Sequence, residues 1–261
     1  MFIPLGSFRS DDQSVKPRVV QCLIFVNLSV CVYQLCLYYD DVSFMMRHGA
    51  VPRDIVTVID AVPFFPVILP NLLHPSLITS LFLHDARVME GGLIHIIGNM
   101  LYLSAFGPNL EARIGHFRFF ILYLFSGIAA TLLYVMVHYD STIPLIGASG
   151  AVAGVMGAHF VACRRSRIRC LCLIFIRSLP ASVVLLPWII IQVVNISLSY
   201  HGSPVAWLAH IGGFGMGIFC IKKLMRVPLQ AKTNSNQHTI TQQRSDWATQ
   251  TSLLSPVRRR K

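Results

Sequence analysis

Long stretches without a single charged side chain decide what this chain can fold into. Val19–Tyr39 contains no Asp, Glu, Lys or Arg, and neither do Gly91–Leu110, Phe119–Tyr139, Ser141–Cys163 and Ser178–Ile221. A helix rises 1.5 Å per residue, so about 20 mostly apolar residues cross the hydrocarbon of a bilayer. The first three runs each supply one span. Ser141–Cys163 opens with a loop containing Pro144 and Gly147, so its helix is expected from near Ser149. Ser178–Ile221 is too long for one span and is broken at His201-Gly202-Ser203-Pro204, which predicts spans near Ala181–Leu198 and Val205–Ile221. The reading is a six-span all-α membrane protein with a long outer loop between spans 1 and 2. Composition agrees: 54% of residues are hydrophobic and 13% charged, against roughly 45–50% and 25% in soluble domains. An ordinary water-soluble globule is excluded.

The remaining segments sort around this body, residues 19–224. Ala61–His84 lacks charges, but Pro63, Pro66, Pro70 and Pro75 break any helix through most of it, so a long interfacial loop with a short helix at Leu77–His84 is expected. Leu171–Ile176, fenced by Arg169 and Arg177, is too short to span and is placed along the interface. Residues 1–18 read as a short tail, and 225–261, rich in Gln, Thr and Ser, as a disordered one. The first apolar run is longer than a signal-peptide core and lacks a small-residue cleavage site, so it reads as a retained span.

The formal charge of +11 would suggest nucleic acid in a soluble protein, but here position explains it. Nineteen of the 22 Lys and Arg fall in the N-tail, the 2–3 and 4–5 connections and the C-tail; the other three lie in the first outer loop. The positive-inside rule then puts both termini in the cytoplasm. Arg258-Arg259-Arg260-Lys261 adds a contact for anionic lipid. The seven cysteines form neither an even ladder nor a paired C-x-x-C, so no disulfide framework, metal site or cofactor is signalled.

Polar groups inside a membrane cost several kcal/mol and stand out as functional candidates. Span 2 runs inward from Gly91, so His95 and Asn99 lie about one and two turns below the outer surface, on one helix face. Ser149 opens span 4 in Gly147-Ala148-Ser149-Gly150, where free N–H groups and the positive end of the helix dipole suit a developing oxyanion. His210 lies between one and two turns down span 6. Four polar side chains from three spans thus share one depth. Small residues at Gly150, Gly154 and Ala158 on span 4, and at Gly213 and Gly217 on span 6, would let these two helices approach closely. Singly, each residue has a bland reading: a membrane serine usually bonds its own backbone, and a lone histidine is more often structural. His159, near the other end of span 4, is read that way, while His84 is placed at the border of the site.

From these motifs the sequence resembles the rhomboid intramembrane serine proteases over roughly Leu77–Leu224. The resemblance rests on Thr79-x-x-Phe82-x-His84, His95-x-x-x-Asn99, Phe106-Gly107, Glu111-Ala112-Arg113-Ile114-Gly115, Gly147-Ala148-Ser149-Gly150 and Ala209-His210-Ile211-Gly212-Gly213-x-x-x-Gly217, in order. It implies an endopeptidase with Ser149 as nucleophile and His210 as general base and acid, with no carboxylate. It implies an oxyanion site from His95, Asn99 and the amides of Ser149 and Ala148. It also implies span 5, with Pro180, Pro187 and Trp188, as a lateral gate, and a structural network of Glu111 and Arg113. The substrates implied are transmembrane segments of single-pass membrane proteins. Two departures are visible: no Trp-Arg pair precedes the Thr79–His84 stretch, and Ala153 stands where some members carry an aromatic beside the histidine. A bacterial inner membrane is the expected address of this minimal form. The rival readings are a non-proteolytic rhomboid-like protein that binds membrane helices, whose kind lacks the Ser or the His, and a small transporter, which would favour internal repeats.

Overall fold

The computed structural model describes residues 2–7, 16–37, 40–55, 72, 74–85, 92–172, 174–198 and 206–225. The prolines at 63–70, the break at His201–Pro204 and the tail from Arg226 onward lie outside them. Most of the described chain is helical, because in hydrocarbon a helix satisfies its backbone polar groups within the segment. The principal helices are α1 (Arg18–Leu37), α4 (Gly92–Ile114), α5 (His116–Val137), α6 (Ser149–Ala162), α7 (Ala181–Leu198) and α8 (Trp207–Leu224). Two shorter ones, α2 (Asp41–His48) and α3 (Ser76–Thr79), lie between α1 and α4, and α3 runs on into a 3₁₀ turn at Ser80–Phe82. Among the described residues, α1, α5 and α7 are long and apolar enough to cross a membrane.

Burial shows which way each helix faces. In α1 the buried residues are Val20, Leu23, Asn27, Cys31 and Gln34, a stripe at helical spacing, while Phe25, Val32 and Tyr33 project outward. α6 is different: nearly every side chain in it is buried, so it forms the centre of the bundle. Its apolar residues join those of α4, α5 and α7 in one continuous core. α7 is the most peripheral, with Ala181, Val184, Leu185 and Gln192 buried and most of its other side chains facing out.

The seam between α6 and α8 has no room for side chains. A methyl group on Gly213 would sit 2.0 Å from the Gly150 carbonyl oxygen, and one on Gly217 would sit 1.9 Å from that of Gly154. The small-residue stripes therefore bring backbone against backbone. At the turn from α4 to α5, Gly115 has φ +86°, a conformation that other residues adopt only with strain.

One feature is additional to the expected all-α architecture. β1 (Phe2–Ser7), β2 (Arg167–Cys172) and β3 (Phe175–Pro180) form an antiparallel sheet in the order β1-β2-β3, with an irregularity in β1 between Pro4 and Gly6. The stretch placed along the interface is thus a β-hairpin, and part of the N-tail is its third strand. This sheet joins residues before α1 to the α6–α7 connection. At the other end of the bundle, Ala50 pairs with Leu145, Arg53 N–H donates to the Ser141 carbonyl, and Gly147 N–H donates to that of Ser80. Among the described residues, the connections that make these contacts therefore sort into two groups.

Glu111, near the end of α4, is fully buried. Its carboxylate accepts from the Val19 and Val20 amides at 2.9 and 2.8 Å and pairs with His116. It thereby satisfies two of the unpaired N–H groups of the first turn of α1, at the positive end of that helix's dipole. Among the described residues, Glu111 bonds these groups and not the guanidinium of Arg113.

Candidate active site

α4, α6 and α8 all begin at the end of the bundle where the loop before α4 meets the α5–α6 loop. Each carries its singled-out polar residue within its first two turns. The result is a shared cavity of about 220 Å³, lined by His95 and Asn99 of α4, Ser149 of α6 and His210 of α8, and walled by Tyr102 and Trp188. Asn99 and His210 are buried, Ser149 is half-buried, and His95 is exposed at the rim. Ala148, the fourth residue expected near the oxyanion, is fully buried at the N-cap of α6; its carbonyl accepts the first helical bond, from Val152 N–H at 2.9 Å. The amides that follow it in the first turn have no partner within the helix.

Gly147 explains how the serine reaches this position. With φ +121° it turns the chain into α6, and a side chain there would lie 3.2 Å from His95 Cε1 and 3.8 Å from Ser149 Oγ. Glycine thus permits both the backbone conformation and the approach of the two side chains. On the opposite flank, Gly150 lies beside Ala209, the neighbour of His210, and the Gly150–Gly213 contact sits one turn further along α8.

Behind the cavity runs a buried polar chain. Asn99 Nδ2 donates to His84 Nε2 at 3.3 Å, Gln34 Oε1 accepts from the His84 amide at 3.0 Å, and Gln34 Nε2 donates to Asp41 Oδ1 at 3.0 Å. The His84 ring also meets the His95 ring edge-on, with centroids 5.8 Å apart. His84 therefore borders the site, and its burial, reinforced by the nearby His95, pushes its pKa down to about 4. His159 stands apart: its Nδ1 bonds the Phe106 carbonyl and its Nε2 bonds Ser166 Oγ, so it ties α6 to α4 and to the start of the hairpin.

His210 has partners that the sequence reading passed over. Its Nδ1 lies 2.7 Å from Gln192 Oε1 of α7, and its ring is flanked by Trp188 at 5.8 Å and Trp207 at 6.1 Å. Ala153, buried four residues after Ser149, offers no ring, and the tryptophans occupy the flanks instead. The signal that could have found Gln192, and Gln34 with it, is the one that marked His95: an amide in an apolar span is expensive unless it is bonded.

Known proteins are similar to this chain. A family model described as the rhomboid domain matches residues 74–227. RHOMBOID-like protein 6, mitochondrial, of Arabidopsis thaliana is 31% identical over 152 residues, covering 56% of this chain and 41% of that protein. Rhomboid protease GluP of Bacillus subtilis is 28% identical over 137 residues, covering 52% of this chain and 24% of its own length. Rhomboid-related protein 2 of Mus musculus is 30% identical over 143 residues, covering 50% and 44%. The aligned part thus spans less than half of each of these three relatives. With a family match across more than half of its residues, around a cavity that gathers a serine, two histidines and an asparagine from three helices, this integral membrane chain belongs to the rhomboid family.

Proposed function

We propose that this chain is an intramembrane serine endopeptidase that crosses the bilayer six times, with both termini on the basic, cytoplasmic side. Ser149 Oγ attacks the carbonyl carbon of a peptide bond in or beside a substrate's transmembrane segment. His210 takes the hydroxyl proton as general base, then gives it to the leaving amine as the C–N bond breaks. A water attacks the resulting acyl-enzyme in the same way and releases the acid. His95, the second proton of Asn99 Nδ2 and the amides at the start of α6 hold the negative oxygen in each step.

The observation that carries this reading is the convergence of Ser149, His210, His95 and Asn99 on one cavity. The length of α6 adds support. Its 14 residues extend about 21 Å, short of the roughly 30 Å of hydrocarbon. A helix this short, sheathed in protein, supports a first residue that lies below the membrane surface. Irregular backbone before it is tolerated there because it lines a polar cavity.

Purified full-length protein should label at Ser149 with a fluorophosphonate and cleave a model transmembrane substrate in micelles. Both activities should vanish in Ser149→Ala and His210→Ala. Undiminished cleavage by Ser149→Ala would refute the proposal, and substrate binding without cleavage by the unsubstituted chain would make it a helix-binding protein instead.

A further inference from the structure

We propose that Gln192 is a positioning residue that fixes which nitrogen of His210 carries the proton. The geometry of this inference stands by itself; its consequence for rate rests on the Ser149–His210 reading. Gln192 is 3% exposed, in a helix whose other buried residues lie near its start. Its amide has a donor end and an acceptor end, and the surroundings determine which is which. Nε2 donates to the Trp188 carbonyl, one turn back on the same helix, at 3.0 Å. The reverse orientation would set two oxygens against each other. Oε1 must then face His210 Nδ1, 2.7 Å away. An amide oxygen only accepts, so Nδ1 carries the hydrogen. Neutral imidazole has one N–H, and Nε2 is therefore the bare base.

The ring is also held against rotation. Trp188, four residues before Gln192 and so on the same face of α7, lies 5.8 Å from the imidazole centroid, and Trp207 presents an edge at 6.1 Å. α7 thus both packs an indole against His210 and sets its tautomer. In serine hydrolases built on a triad, a carboxylate holds the histidine in its working tautomer and stabilises the imidazolium once formed. A neutral amide performs the first task without a charge, which suits a site surrounded by hydrocarbon, where an ionised carboxylate would be costly. The alternative is that Gln192 merely pins α7 to α8.

Gln192→Met keeps the side chain's length and removes the acceptor, while Gln192→Glu restores an acceptor. With the full chain in micelles and a model transmembrane substrate, Gln192→Met should lower kcat by about 10- to 100-fold with KM held within about twofold, and Gln192→Glu should recover most of the loss. ¹⁵N spectra of histidine-labelled protein, with His210 assigned by its absence in His210→Ala, should show protonated Nδ1 in the unsubstituted chain and mixed tautomers in Gln192→Met. A proton on Nε2 in the unsubstituted chain would overturn the inference. So would a Gln192→Met protein that keeps kcat and tautomer while only its melting temperature or KM moves. If the unsubstituted chain cleaves nothing, the nitrogen spectra still decide the role of Gln192, and Ser149 labelling separately decides the hydrolase reading.

Discussion

Gly213→Ala tests whether the α6–α8 seam sets the catalytic distance. The added methyl would lie 2.0 Å from the Gly150 carbonyl oxygen, where an ordinary contact begins at 3.4 Å. The obstacle is backbone, so no side chain can rotate away, and the helices must separate locally by about 1.4 Å. Gly150 adjoins Ser149, and Gly213 lies three residues from His210 on the same face of α8. The separation therefore bears directly on the serine and the histidine. Proton transfer between a hydroxyl and an imidazole needs about 2.6–3.2 Å, and such a separation would hold the pair outside that reach. Misplacement by about 1 Å can cost 100-fold in rate, so kcat should drop by at least about that factor. Forcing a methyl into a packed seam costs about 1–3 kcal/mol, enough to lower the melting temperature without unfolding the protein. The assay is single-turnover cleavage of a transmembrane substrate, alongside fluorophosphonate labelling and a melting curve in the same micelles. Gly215→Ala is the control, since a methyl there meets nothing within 4 Å. If Gly213→Ala cleaves at the unsubstituted rate, the seam does not set the geometry and the reasoning fails.

Asn99→Ala should lower kcat by about 100- to 1,000-fold with little change in KM, as loss of one oxyanion donor does; an unchanged kcat would remove Asn99 from that role. Glu111→Ala leaves the Val19 and Val20 amides without their acceptor and should cost about 1–3 kcal/mol of stability, read as a lower melting temperature with kcat retained. The His84 pKa, held near 4 by burial, lies below its ordinary value of 6.5, so the unfolded chain binds more protons between the two. Stability should therefore fall as pH drops from about 6.5 towards 4, and His84→Gln should flatten that slope in melting curves.

Much of the frame was legible because charge is so costly in hydrocarbon that its absence marks helices almost to the residue. Ala181–Leu198 was expected and found, and the helix after Gly147 begins at Ser149. The four polar residues that line one cavity stood out for the same energetic reason. The sheet was harder to see. β2 alternates Arg167, Ile168, Arg169 and Cys170 in a buried-exposed rhythm, but over six residues that period is brief. Pro4 and Gly6 disguise β1, whose partner strand lies more than 160 residues away. The roles of Gln192 and Glu111 depend on pairings between distant helices, which no local pattern encodes. The departure at Ala153 was visible, but the rings beside His210 come from α7 and from the start of α8, and only the folded chain brings them there.

The Glu111 carboxylate has a consequence for how the protein is made. α1 leaves the ribosome before α4, and the acceptor for its leading amides lies 92 and 91 residues downstream. At roughly 5–20 residues per second of synthesis, the newborn segment waits on the order of 5–20 seconds before that acceptor has been translated. Until then water or the insertion machinery must satisfy those amides, so α1 is secured only once α4, the next of the principal helices, has been made almost to its end.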